Sequence, residues 1–120
     1  MKTLRKILLL EGIHFSAKTR FEDAGFEVTE VDTAISDEEL KARVQGFQAI
    51  GIRSKTQLSA DFFQSQTGLL AVGAFCIGTN QIDLEMANIK GLPVFNAPYS
   101  NTRRVAELVI AEMSGLSRRL

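Results

Sequence analysis

The sequence predicts a doubly wound α/β domain, with five parallel strands in one sheet and helices on both faces. Three observations carry that prediction. Short apolar runs alternate with stretches of helical periodicity along the whole chain, the arrangement that gives a parallel sheet with crossover helices. The first run, Ile7 to Leu10, is apolar without interruption, as a strand buried on both faces must be. The connections between segments are about two to seven residues long, normal for such units.

Taken in order, Ile7 to Leu10 form the first strand and belong at the centre of the sheet. Ser16 can cap a helix that carries Ala17, Phe21 and Ala24 on one face, and Gly25 stands where a left-handed C-terminal cap belongs. Glu27 to Val31 alternates polar and apolar, which suits a strand at the sheet edge. Ser36-Asp37-Glu38-Glu39 reads as a capping box ahead of Leu40, Val44 and Phe47 at helical spacing. Ala49 to Ile52 is the third strand, Ser59 opens a short helix with Phe62 and Phe63, and Leu69 to Ala74 is the fourth strand. Asp83 caps a helix that runs through Ile89 and stops near Gly91. Leu92 to Phe95 is the fifth strand. Thr102 caps a last helix whose apolar stripe is Val105, Leu108, Val109, Ala111, Met113 and Leu116. The expected strand order is flavodoxin-like, 2-1-3-4-5.

Composition narrows the class. Hydrophobic residues make up 45% and charged residues 23% of the 120, values of an ordinary globular domain with a real core. Fourteen basic and fourteen acidic residues cancel, so no overall field draws in nucleic acid or an anionic membrane, and neither is an expected partner. Any anion binding must be local. The single Cys76 lies between Phe75 and Ile77 and reads as a buried inert thiol rather than a nucleophile. One cysteine builds no disulfide framework, which fits the cytoplasm. The opening MKTLRKILLLEG imitates a signal peptide only until Glu11 ends its apolar run. No stretch approaches the roughly 18 apolar residues of a membrane span.

Ligands of an open parallel sheet sit outside the carboxyl ends of its strands, so the loops after strands three, four and five are the candidate site. After strand three, Arg53, Ser54 and Lys55 offer a guanidinium fork and a hydroxyl to a carboxylate or phosphate; a solvated surface arginine is the plainer reading. After strand four, Gly78, Thr79 and Asn80 form either a backbone nest for an anion or an ordinary glycine turn. After strand five, Asn101 and Thr102 lie at a helix amino end, where free amides and the dipole favour an anion. Arg103 and Arg104 follow in the first turn, either opposing that dipole or bending into water. His14 is the only histidine and reads as a loop or packing residue. The sequence contains no GxGxxG, no Walker sequence and no metal-ligand cluster, so no dinucleotide loop or metal site is expected within it.

IGTNQIDL (Ile77 to Leu84) followed by GLPVFNAPYSNTRRVAELVI (Gly91 to Ile110) resembles the amino-terminal substrate domain of the NAD-dependent D-2-hydroxyacid dehydrogenases, and in that wording their phosphoglycerate branch. KILLLEGIH and GIRSKTQLS resemble it too, so the likeness spans nearly the whole chain. The resemblance implies residues 1–101 as the amino-terminal part of a substrate-binding domain, and residues 102–120 as a long helix projecting toward an absent nucleotide-binding domain. It implies that the amides of Gly78, Thr79 and Asn80 hold the substrate carboxylate. Arg53 and Ser54 would contact the acidic groups, Asn101 would orient the carboxylate or reacting carbon, and Val105 would border the nicotinamide. The implied substrate is a small phosphorylated hydroxy or keto acid. NAD is the implied cofactor of the parent protein, and none is expected to bind these residues alone. The catalytic arginine, glutamate and histidine of such enzymes have no counterpart here; His14 does not match. The chain stops at Leu120 within a helical pattern, so a fragment, inactive by itself and pairing with itself through the last helix, is expected.

Two other classes stay open. A stand-alone receiver-like module would need an acidic cluster after strands one and three, but Glu11 stands alone, Arg53 replaces an acid, and Asn96-Ala97-Pro98 replaces a lysine. A regulatory fragment that pairs with complete subunits has no sequence feature against it.

Overall fold

A computed structural model describes residues 5–13, 16–65, 68–75 and 79–96. The elements in chain order are β1 (Arg5–Leu9), α1 (Ser16–Asp23), β2 (Phe26–Glu30), α2 (Asp37–Arg43), β3 (Ala49–Ile52), α3 (Ala60–Ser65), β4 (Ala71–Ala74), α4 (Leu84–Ile89) and β5 (Val94–Asn96). The strands form one sheet in the order β2-β1-β3-β4-β5, and every pairing is parallel. The 2-1-3-4-5 order expected from the sequence is the one observed. The last helix, with Thr102 and Val105, lies outside the described residues, as do His14, Cys76, Gly78 and Asn101.

Alternation along the strands sorts side chains onto two faces. Ile7 and Leu9 of β1 join Ala49, Ala71 and Phe75 beneath α1, whose Phe21 and Ala17 are fully buried there. Phe21 meets Phe26 edge to face at 5.3 Å between ring centroids, a favoured aromatic geometry. Leu8 and Leu10 point the other way, to Ile50, Ile52 and Val72, under Leu40 of α2, Phe62 and Phe63 of α3 and Ala87 of α4. The central strands β3 and β4 are buried at every position, whereas β2 is buried only at Phe26. β2 is thus the sheet edge that its alternating sequence predicts.

Local chemistry sets the helix boundaries. The Ser36 hydroxyl accepts from the Glu39 N–H at 3.3 Å. The return half of the expected capping box is not made, because the Glu39 carboxylate instead faces Arg43 at 3.6 Å. Ser59 and Asp83 cap as predicted, accepting from the N–H groups of Phe62 and Met86 at 3.1 and 2.9 Å. Ser59 also donates to Asp37 at 3.2 Å, and Lys41 contacts both Asp37 and Asp61, so α2 and α3 are tied together. Gly25, Gly46 and Gly91 take positive φ values of 97°, 87° and 71° after helices, where a side chain would be strained.

Gly51 matters for a different reason. An added Cβ would lie 2.7 Å from Leu9 Cδ2 and 2.9 Å from Phe75 Cε1. Leu9 and Phe75 are themselves closely packed, so neither has free space to yield into. We expect Gly51→Ala to lower unfolding free energy by about 1–3 kcal/mol, the usual cost of overpacking a core, read from the denaturation midpoint. An unchanged midpoint would contradict the packing described here.

Candidate functional site

The direction of winding reverses between β1 and β3: from β1 the chain proceeds to one edge through β2, and from β3 to the other through β4 and β5. That reversal opens a crevice at the carboxyl ends of β1 and β3, the usual ligand position of such sheets. There the structure places a cleft of about 310 Å3, lined by Glu11, by Asp32, Thr33 and Ala34 after β2, and by the Arg53-Ser54-Lys55 loop. The sequence directed attention to the loops after strands three, four and five. The walls after β1 and β2 are additions made by the fold.

Glu11 organises this corner. Its carboxylate accepts three backbone hydrogen bonds, from Arg53 N–H at 2.8 Å, Lys55 N–H at 2.8 Å and Thr56 N–H at 3.0 Å. The residue is only 9% exposed. It holds φ at +66°, beside Gly12 at +61°, a left-handed backbone that costs a side-chain-bearing residue roughly 1–2 kcal/mol. The strand therefore ends in a strained turn that aims an acid at the neighbouring loop. Burial alone would raise the Glu11 pKa, but the Thr56 hydroxyl and the N–H groups of Lys55, Arg53 and Thr56 outweigh burial and hold it below the ordinary glutamate value. The Thr56 hydroxyl is buried and makes no well-aligned hydrogen bond, so its part is that of a nearby dipole. In the sequence Glu11 stands as a solitary acid. Its signal was available: a carboxylate followed by glycine, directly after a strand buried on both faces.

The opposite side of the loop is held from β4. Gln81, also 9% exposed, donates from Nε2 to the Arg53 carbonyl at 2.8 Å. Leu58 N–H donates to the Gln81 carbonyl at 2.9 Å and Asp83 N–H to the Leu58 carbonyl at 2.9 Å, forming a single parallel bridge between Leu58 and Ile82. The loops after β3 and β4 are therefore joined by backbone and side chain together. Thr79 and Asn80 immediately precede this bridge; the Thr79 carbonyl accepts from Ile82 N–H at 3.0 Å, and Asn80 is exposed at the turn.

Among the predicted site residues, then, Arg53 and Ser54 share one cleft, and Thr79 and Asn80 stand on the adjoining loop. Arg53, Ser54 and Lys55 are exposed while their backbone is fixed. Among the described residues no carboxylate pairs with the Arg53 or Lys55 side chain. Two cations and a hydroxyl on a rigid loop can bind an anion, with the guanidinium able to do so bidentately. The backbone amides of Arg53, Lys55 and Thr56 cannot, because Glu11 occupies them. No group of three metal-ligating side chains exists among the described residues, and none of their helices is long and apolar enough to cross a membrane.

Fold and crevice define an α/β domain that presents exposed cations at its switch point. The profile of the D-isomer specific 2-hydroxyacid dehydrogenase family, catalytic domain, matches residues 7–118, and the chain belongs to that family. It is 49% identical over 115 residues to D-3-phosphoglycerate dehydrogenase 1 of Saccharomyces cerevisiae, covering 96% of this chain and 24% of that protein. Identity to D-3-phosphoglycerate dehydrogenase of Escherichia coli K12 is 48% over 114 residues, covering 94% and 28%. The NAD+-bound 3-phosphoglycerate dehydrogenase of Entamoeba histolytica shares the fold, with a TM-score of 0.73 at 23% identity over 92% of this chain and 38% of that one. The chain spans about a quarter of the length of the two sequence relatives.

The depressed Glu11 pKa makes stability depend on pH. The folded carboxyl ionises more readily than the unfolded one, so its contribution is fully present above the ordinary glutamate range and is lost as pH falls through the lowered folded value. Glu11→Gln, which leaves one oxygen to serve these amides, is expected to lower stability at pH 7 by about 1–3 kcal/mol. It should also flatten the acid limb of the stability curve in denaturant titrations between pH 7 and pH 3. Parallel curves for the two proteins would contradict this assignment.

Proposed function

We propose that the chain is the amino-terminal, substrate-binding part of an NAD-dependent D-3-phosphoglycerate dehydrogenase, which oxidises 3-phosphoglycerate to 3-phosphohydroxypyruvate at the start of L-serine biosynthesis in the cytoplasm. The observation that carries this reading is the rigid Arg53-Ser54-Lys55 loop, whose exposed cations face a cleft at the switch point, in a chain nearly half identical to enzymes of that name. A substrate with a phosphate at one end and a carboxylate at the other needs two anion sites. Arg53 and Ser54 supply one. The backbone amides of Gly78, Thr79 and Asn80 supply the other, with Asn101 orienting the carboxylate or the reacting carbon and Val105 bordering the nicotinamide.

The described residues do not fit NAD. Where a dinucleotide-binding sheet has a glycine-rich loop after its first strand, this one has the Glu11 carboxylate, which would repel a pyrophosphate. The cofactor is therefore assigned to residues beyond this sequence, and the part played here is binding and orienting the acid. Residues 102–120, with their apolar stripe at helical spacing, are assigned to the junction with that second domain and to pairing between subunits.

In the complete enzyme, Arg53→Ala should raise KM for 3-phosphoglycerate by about ten- to a hundredfold, equivalent to the loss of a charged hydrogen-bonded contact. The change in kcat should be much smaller. Steady-state kinetics with NAD decide it. An unaltered KM would remove Arg53 from the substrate site and take this reading with it.

A further inference from the structure

We propose that Glu11 is a positioning residue for substrate recognition, an internal anion that occupies the backbone nest of residues 53–56 and so directs the Arg53 and Ser54 side chains into the crevice. The proposal rests on the assignment of Arg53 to the substrate site. Three N–H groups converge on the Glu11 carboxylate within 2.8–3.0 Å, and convergent amides of this kind bind anions wherever they are left free. Filling them with a side-chain carboxylate has two consequences. A substrate anion cannot settle on the amides of Arg53, Lys55 and Thr56, so the charged donors left to it on this loop are the side chains. The loop is also fixed against β1, while Gln81 fixes the Arg53 carbonyl against the loop after β4 at 2.8 Å.

Arg53 is thereby held at the backbone from both sides, and its position relative to the Thr79-Asn80 turn is set by two buried side chains bonded to its N–H and its carbonyl. A substrate with two acidic ends demands such a fixed spacing, because one end seated correctly helps the other only when the separation matches. Glu11 acts through the loop: it carries no proton in the reaction and contacts no substrate. Its strained backbone at φ +66° is consistent with a residue held for its direction rather than for local stability.

The test uses the complete enzyme in four forms: wild type, Glu11→Gln, Glu11→Ala and Arg53→Ala. KM and kcat for 3-phosphoglycerate are measured for each, and for Glu11→Ala also with added sodium formate, with sodium chloride as the ionic-strength control. The expected result is a KM raised about tenfold in both Glu11 variants, which corresponds to losing one charged hydrogen-bond network, with kcat within about twofold. Formate, a free carboxylate able to enter the vacated nest, should restore most of the KM of Glu11→Ala and leave Arg53→Ala unchanged. If Arg53→Ala raises KM but the Glu11 variants do not, the positioning role is wrong and the functional reading stands. If Arg53→Ala has no effect, the functional reading itself fails. A folded Glu11→Ala whose KM rises without formate recovery would show general loosening of the domain and overturn the proposal. Should Glu11→Ala not fold, the KM-against-kcat split of Glu11→Gln decides: kcat falling in step with KM would overturn it.

Discussion

The Glu11 carboxylate and the three amides it accepts from are the constraint on which the described crevice depends. A charge nearly removed from water is costly unless its hydrogen bonds are met; here Arg53, Lys55 and Thr56 meet them. The same bonds satisfy amides that would otherwise be open at the end of β3, and they draw the loop toward β1. The left-handed turn at Glu11 and Gly12 is what allows an acid at the end of a central strand to reach sideways. Removing any one of these elements leaves another without its partner, so strand end, turn and loop behave as one unit.

That unit needs a rigid base, which the sheet provides. β1 and β3 are neighbours in register, Leu9 opposite Gly51, and Leu10 N–H donates to the Gly51 carbonyl at 2.9 Å as the ladder continues toward Glu11. Gly51 lets Leu9 and Phe75 close over β3, keeping the strand ends near one another. Packing on both faces thus fixes the starting points of the loops, and hydrogen bonds to Glu11 and Gln81 extend that order to the backbone of exposed Arg53. The exposed side chains of this loop stand on backbone that buried groups hold.

Much of this was legible in the sequence because the signals were local. The uninterrupted Ile7 to Leu10 run, the alternation through Val28, and the caps at Ser36, Ser59 and Asp83 act within a few residues, and the family motif named its own region. The place of Arg53 and Ser54 at a strand's carboxyl end was legible from their position after the third strand, and both line the cleft there. Glu11 was not, because its partners are 42 to 45 residues away and only the parallel pairing of β1 with β3 brings them together. Gln81 was missed for the same reason, 28 residues from its acceptor. The Glu39 carboxylate illustrates the reverse: the sequence pattern reads as a capping box, but only the Ser36 half is made, and the carboxylate pairs with Arg43 on the helix surface.

The measurement that bears most directly on this account is a pH titration of the backbone amide resonances followed by NMR. The amide protons of Arg53, Lys55 and Thr56 should move together with one apparent pKa below that of an ordinary glutamate, and all three should lose that transition in Glu11→Gln. If they instead titrate independently, or show no transition while other glutamates do, the carboxylate does not hold the loop and the account of the crevice is wrong.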